Sequence, residues 1–297
     1  MVSGNSSDND TARTLRVIQI SDSHLSTDEN GLFKGVAPWR TFQSVVERIG
    51  REPLQPDIIV ATGDLVHEGP AFVYRHLREH MDRIGVPIYV LPGNHDDPAL
   101  LAETFDIDMD RDATRVTDYM NFGHTHLGNW LIVFLNTVVP GAPYGLLDTR
   151  ELARLDALLG KHPDHHALLC LHHHPVPRKG ETVNLPGLLH ANLFFSVVDR
   201  HPQVRGIIWG HIHGSFEARR GKILLLGTPS TCFQFDAALK RILGPNDGPP
   251  AYRRLALGAD GTIESDVVQV PIRLFGSDYP SRQPEKPSPG QSRSKRK

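Results

Sequence analysis

The amino-acid sequence predicts an α/β fold, and three observations carry the prediction. Short β-branched apolar runs alternate with amphipathic helical patterns from Leu15 to about residue 210. Beyond that point the apolar runs follow one another more closely, so the later part is strand-rich. Most of the runs end in a turn holding Asp, Asn or His. That is the grammar of open sheets whose chemistry lies beyond the carboxyl ends of their strands. At 297 residues the chain suits one large domain or two small ones, with room for a substantial core without disulfides.

Taken in order, residues 1–14 are polar and rich in Ser, Asn and Asp, a disordered tail without the apolar centre of a signal peptide. The first strand, 15–20, runs straight into Asp22 and His24. Residues 39–52 place Phe42, Val45, Val46 and Ile49 at helical spacing. The second strand, 57–62, ends in Gly63-Asp64, and a second helix, 70–84, lines up Val73, Leu77, Met81 and Ile84. A third strand, 86–91, delivers the turn LPGNHDD, which offers Asn94, His95 and Asp96 side by side. Residues 98–128 have no clear period.

A strand follows at 131–135, then Asp148 as an N-cap with Glu151 three residues on. The helix it starts carries Leu152, Leu155, Leu158 and Leu159, and Gly160 is expected to close it. The strand at 167–171 ends in His172-His173-His174. Residues 178–190 read as a loop or lid, and 191–201 as a helix buried through Leu193, Phe194, Val197 and Val198. The strand at 204–209 enters GHIH, with His211 and His213, and another at 223–226 leads into GTPSTCFQF. One domain is expected over 15–272, followed at 273–297 by a basic, Pro/Ser-rich disordered tail.

Composition excludes some classes. A net charge of −2 gives no basic field for nucleic acid, and no apolar run nears the roughly 18 residues of a membrane span. Two cysteines, Cys170 and Cys232, outside any CxxC pair, suit a reduced, cytoplasmic protein. Histidine is enriched, at 17 residues, and clustered.

Five strand ends carry metal-ligand types: Asp22 with His24, Asp64, Asn94, His172, and His211 with His213. Carboxylate, imidazole and one amide, without thiolate, suit Mn²⁺, Fe or Zn²⁺. Seven such donors exceed one tetrahedral ion and suit two ions sharing an Asp, the recurrent arrangement for phosphoester hydrolysis. Taken alone, each has a plainer reading as a turn or capping residue. Gly123-His124-Thr125-His126 mimics GHIH but precedes a strand, so it is read as a surface turn at the opposite edge. His67, His162, His165, His166 and His201 are assigned solvent or capping roles.

In this order, DSH, GDLVHEG, GNHD, HHHP and GHIH resemble the calcineurin-like metallophosphoesterase superfamily over roughly residues 15–235. A narrower likeness, carried by LPGNHDD, LLCLHHHPVP and LGTPSTCFQF, is to bacterial class III 3′,5′-cyclic-AMP phosphodiesterases. The resemblance implies two packed mixed sheets flanked by helices, a four-layer αββα sandwich. It implies one ion on Asp22, His24, Asp64 and His213, and a second on Asp64, Asn94, His172 and His211. The expected ions are Mn²⁺ or Fe, with Zn²⁺ or other divalent ions as substitutes.

His95 matches the histidine that contacts phosphate and protonates the leaving oxygen, beside Asp64 and Asn94 as catalytic residues. His24, Asn94, His95 and His213 would face the substrate. The implied reaction is attack by metal-bound hydroxide on 3′,5′-cyclic AMP, giving 5′-AMP; a homodimer is compatible with the resemblance. Hydrolysis of other phosphodiesters or phosphomonoesters, and a catalytically silent scaffold, are the alternatives. Residues 178–192 and 141–146 depart from the family pattern and leave base recognition open.

Overall fold

The apolar runs gather into two sheets, each covered on its outer face by helices. A computed structural model of the chain describes residues 13–106, 123–177, 185–236 and 241–272. The expected tails, apart from residues 13 and 14, and the 178–184 part of the expected lid lie outside the described residues. The first elements are β1 (Leu15–Ile20), β2 (Leu25–Ser26), α1 (Pro38–Ile49), β3 (Ile58–Thr62), β4 (Val66–Glu68) and α2 (Ala71–Asp82). Next come β5 (Ile88–Leu91), α3 (Pro98–Thr104), β6 (Gly123–Leu127), β7 (Trp130–Phe134), α4 (Thr149–Lys161), β8 (His166–Leu171) and α5 (Ala191–Val198). The remaining elements are β9 (Val204–Trp209), β10 (Phe216–Arg220), β11 (Ile223–Gly227), β12 (Gln234–Asp236), β13 (Arg241–Leu243), β14 (Ala251–Leu257) and β15 (Ile263–Gln269).

The first sheet has the order β15-β14-β1-β3-β5 and the second β10-β11-β9-β8-β7-β6. Both are mixed. The parallel strands β1, β3 and β5 are flanked by antiparallel β14, and parallel β7, β8, β9 and β11 by antiparallel β6 and β10. Val17, Val60, Tyr89 and Leu255 from the first sheet meet Trp130, Phe134, Leu168 and Ile208 from the second in a shared core. The rings of Tyr89 and Phe134 stack across it, 5.1 Å apart. Outside the first sheet, Phe42 and Val45 of α1 and Leu77 and Met81 of α2 pack on Ile18 and Ile59. Outside the second, the leucines of α4 and Phe194 of α5 pack on Leu169 and Ile207. The result is the four-layer αββα sandwich.

Several local readings are corrected. Gly160 lies inside α4, which ends at Lys161 with His162 as its C-cap. The Asp148 carboxylate accepts from the Glu151 amide as expected, while the Glu151 carboxylate turns to Arg154 instead of closing a capping box. GHTH is not a turn: it forms the edge strand β6, with His124 opposite Val133 and His126 opposite Leu131. On α5, Phe194, Val197 and Val198 are buried as expected, but Phe195 is buried in place of Leu193, which is 47% exposed. Helix α3, within the unassigned 98–128 region, starts on an Asp97 cap with Pro98 at its first turn.

The strands past residue 236 escape the sequence pattern because β14 carries Arg253 and Arg254 in its middle. Arg253 is nonetheless 1% exposed. Its guanidinium donates to the Gly227 carbonyl at the end of β11, joining the two sheets. No helix among the described residues is long and apolar enough to cross a membrane.

Candidate metal centre

Strand ends of the two sheets meet at one edge of the sandwich, and the backbone there is held in an uncommon shape. Eight non-glycine residues among those described have positive φ. Five of them are Asp22 (57°), His24 (48°), Asp64 (52°), His211 (68°) and His213 (43°). Such a conformation costs about 1–3 kcal/mol per residue and persists only where surroundings enforce it. Here the loops brace one another. The amides of Asp22 and His24 donate to the carbonyls of Gly63 and Asp64, both at 2.9 Å. The His211 amide, from the other sheet, donates to the Asp22 carboxylate at 3.1 Å. A Cβ on Gly93 would lie 2.2 Å from Asp64 Oδ1 and 2.7 Å from His172 Cε1, so the GNHD turn passes directly against the cluster.

The structure brings Asp22, His24, Asp64, Asn94, His172, His211 and His213 together. Asp64 lies between two groups: Oδ2 is 3.9 Å from His24 Nε2 and Oδ1 is 3.4 Å from His172 Nε2. On one side His213 Nε2 is 3.4 Å from Asp22 Oδ1 and 3.0 Å from His24 Nε2. On the other, His172 Nε2 is 3.2 Å from both Asn94 Oδ1 and His211 Nδ1. The outward nitrogens are occupied by carbonyls: His172 Nδ1 by Thr62, His213 Nδ1 by Phe233 and His211 Nε2 by Pro186. Those contacts fix each ring with its other nitrogen facing inward, as in metal sites.

Protonation states follow from these contacts. Burial alone would raise the Asp64 carboxyl, but the charge and hydrogen bond of His172, with His24 beyond, hold it well below the usual range. Burial likewise opposes ionisation of Asp22, and His213 outweighs it. Burial keeps His24 and His211 well below the ordinary imidazole value, hence neutral. Burial also disfavours a proton on His172, yet Asp64, Asp22 and the Thr62 carbonyl push its pKa up to about 9. A cation entering the cluster must expel that proton.

The donor set fits two metal ions. Two nitrogens bonded to one ion at about 2.0–2.1 Å lie about 3 Å apart, as the facing nitrogen pairs here do. Asp22, His24 and His213 offer atoms all within 4.8 Å of one another, as do Asp22, Asp64 and His172. His24 Nδ1 is buried without a hydrogen-bond partner among the described residues.

His95 stands apart from these donors. It is exposed, its amide donates to Asp64 Oδ1 at 2.9 Å, and its ring lies 5.1 Å from that of His24. Asp96 does not stand beside Asn94 and His95 in the site. It turns inward and accepts from the amides of Leu65, Val66 and Gly93 and from the Tyr74 hydroxyl. Burial and the Asp64 carboxylate push Asp96 up to about 7 against the pull of those amides.

Four features of the site are not assigned by the sequence. His173 is buried against His172 and His211, with Nδ1 2.7 Å from the Thr137 hydroxyl; the HHH run is its only signal. His67, assigned a solvent or capping role, packs its ring at a tilt against Phe33 at 4.0 Å and His95 at 4.5 Å. Phe233 and Phe235 of the CFQF stretch wall the cluster beside His213, at 4.4 and 4.7 Å. The Lys34 ammonium lies 5.1 Å from the centres of Phe33 and Phe233.

The two-sheet sandwich with clustered His and Asp at its strand ends defines a class of phosphoester hydrolases with dimetal centres. The chain belongs to the calcineurin-like phosphoesterase family, whose sequence profile matches residues 15–215. It is 32% identical over 274 residues to the 3′,5′-cyclic adenosine monophosphate phosphodiesterase CpdA of Pseudomonas aeruginosa, covering 91% of this chain and 95% of that protein. Identity to CpdA of Escherichia coli K12 is 33% over 269 residues, covering 90% and 94%. The fold is shared with a dimetal phosphatase from Danio rerio, with a TM-score of 0.58 at 14% identity, covering 86% of this chain and 99% of that one.

Proposed function

We propose that the protein is a 3′,5′-cyclic-nucleotide phosphodiesterase that converts cyclic AMP to 5′-AMP. The observation that carries the reading is Asp64, whose two carboxylate oxygens face separate imidazole groups contributed by both sheets. Similarity across nine-tenths of the chain to proteins named as cyclic-AMP phosphodiesterases supports the substrate. Asp22, His24, Asp64 and His213 would hold one ion and Asp64, Asn94, His172 and His211 the other, Mn²⁺ or Fe by donor type. Bound metal ions supply the charge that acidifies a water and offsets charge on the phosphate oxygens.

The residues of the chain do the rest. Asn94, His24 and His213 line the place where the phosphate sits, and the exposed His95 faces it from the rim. A water oxygen bonds to phosphorus as the P–O3′ bond breaks. O3′ takes a proton from the protonated His95 imidazole, the attacking water loses a proton to solvent, and a proton taken up from solvent restores His95. The half-buried rings of Phe33 and Phe235, backed by the buried Phe233, give the purine a surface to lie against. Two buried free cysteines agree with a reducing, cytoplasmic setting.

The test is hydrolysis of 3′,5′-cyclic AMP beside 2′,3′-cyclic AMP and bis-p-nitrophenyl phosphate, with Mn²⁺ and with chelator. Preference for the 3′,5′ isomer and loss of turnover in chelator are expected. Turnover confined to the aryl ester or the 2′,3′ isomer would sink the cyclic-AMP assignment while leaving the dimetal hydrolase.

A further inference from the structure

A second group of imidazoles converges at the opposite end of the second sheet. Strand β6 carries His124 and His126 two residues apart, so both side chains leave the same face of the strand. Helix α4 stops at Lys161, and the turn that follows brings His162 and His165 over that face. The ring of His126 lies 4.7 Å from that of His162 and 5.0 Å from that of His165, and those two are 5.6 Å apart. His124 stands behind them, 5.5 Å from His126 and 6.0 Å from His162. One ring nitrogen from each of His126, His162 and His165 lies within 4.8 Å of the others.

The two groups of donors are well separated. Strand β8 has His166 at its start and reaches His172 just past its end, a rise of about 20 Å at roughly 3.3 Å per residue. The surroundings also favour a cation. The cluster lies at the carboxyl end of the 13-residue α4, where the helix dipole presents its negative end. His126 is exposed and the other two are half-buried, so water and ions reach the site. Small rotations would bring the nitrogens from this spacing to the about 2.0–2.1 Å bonds of a zinc–imidazole site.

We propose that His126, His162 and His165, backed by His124, form a second metal site, selective for nitrogen-preferring divalent ions such as Zn²⁺. Three imidazoles fill three positions of a tetrahedral ion and leave the fourth to water or to His124. The donors here are all nitrogen, unlike the mixed oxygen and nitrogen cluster around Asp64, so Mn²⁺ and Mg²⁺ are discriminated against. An ion held there fastens the edge strand β6 to the turn between α4 and β8.

The test uses the full chain loaded with Mn²⁺, equilibrated with Zn²⁺ and measured for bound metal and Zn²⁺ affinity. Wild type should hold one Zn²⁺ equivalent that His126→Ala and His162→Ala each bind at least about tenfold more weakly. His201→Ala, whose imidazole pairs with Asp156 at 2.7 Å away from the cluster, should keep it. Asp64→Asn should lose metal from the catalytic cluster alone. Circular dichroism in chelator checks that each variant is folded, and His165→Ala tests the site from a third position if another variant is not. The proposal is wrong if the folded histidine variants retain wild-type Zn²⁺ content, or if Asp64→Asn removes every Zn²⁺ equivalent.

Discussion

The backbone amide of His95 donates to Asp64 Oδ1, so the residue with the exposed imidazole is tied to the buried carboxylate through its main chain. Neighbouring positions on one turn thus serve different tasks: Asn94 reaches toward His172, His95 faces outward, and Asp96 braces the backbone. If His95 protonates O3′, His95→Ala should lower kcat for 3′,5′-cyclic AMP by about 10²–10⁴-fold. The loss on bis-p-nitrophenyl phosphate should be much smaller, because p-nitrophenolate leaves without a proton. Steady-state kinetics with both substrates decides it. Equal losses on both would show that the side chain acts through the structure of the cluster rather than as an acid.

At the scale of elements, the parallel strands and their Asp-, Asn- and His-bearing ends are legible in the sequence because each runs unbroken into its polar turn. Three things are not. Arg253 hides β14, since a guanidinium in a strand centre reads as solvent-facing until a carbonyl across the sheets is found for it. GHTH looks like a turn because its edge-strand pairing with β7 is non-local information. Asp96 reads as standing beside Asn94 and His95 because sequence gives spacing but not which way a side chain points.

Gly160 reads as a helix stop on residue type alone. It has helical neighbours on both sides, and a Cβ there meets nothing within 4 Å. Gly160→Ala should therefore stabilise the protein by about 0.5–1 kcal/mol in thermal or urea unfolding. Gly93→Ala should do the opposite and abolish metal binding, as its Cβ would overlap Asp64.

The edge strand adds a pH dependence. Burial and the nearby His162, His165 and His124 push His126 down to about 4, against about 6.5 when unfolded. Between those values the unfolded chain holds a proton that the folded chain does not, so stability falls as pH drops from about 6.5 to about 4. Melting temperatures followed across that range in chelator should fall less steeply for His126→Ala than for wild type. Parallel curves would exclude the effect.

At the scale of the molecule, the αββα sandwich places its dimetal cluster on the seam between its halves. Asp22, His24, Asp64 and Asn94 follow strands of the first sheet, and His172, His211 and His213 follow strands of the second. Beneath them the seam is closed by apolar packing, by the Gln19 amide donating to the Trp209 carbonyl and by Arg253 reaching Gly227. Metal held across such a seam binds the folded chain and not the separated sheets, so it contributes to stability by mass action. At a free ion concentration one hundred times its Kd, one site adds about 2.7 kcal/mol. For a chain of this size that corresponds to a rise of roughly 4 °C in Tm.

Removing metal also leaves two ionised carboxylates and facing imidazoles buried without the cation that their geometry suits. Calorimetry with Mn²⁺ and with chelator should therefore show the lower melting temperature in chelator, and Asp64→Asn should compress the difference. Coincident wild-type transitions in the two buffers would mean that the ions, however necessary for turnover, do not hold the two sheets together.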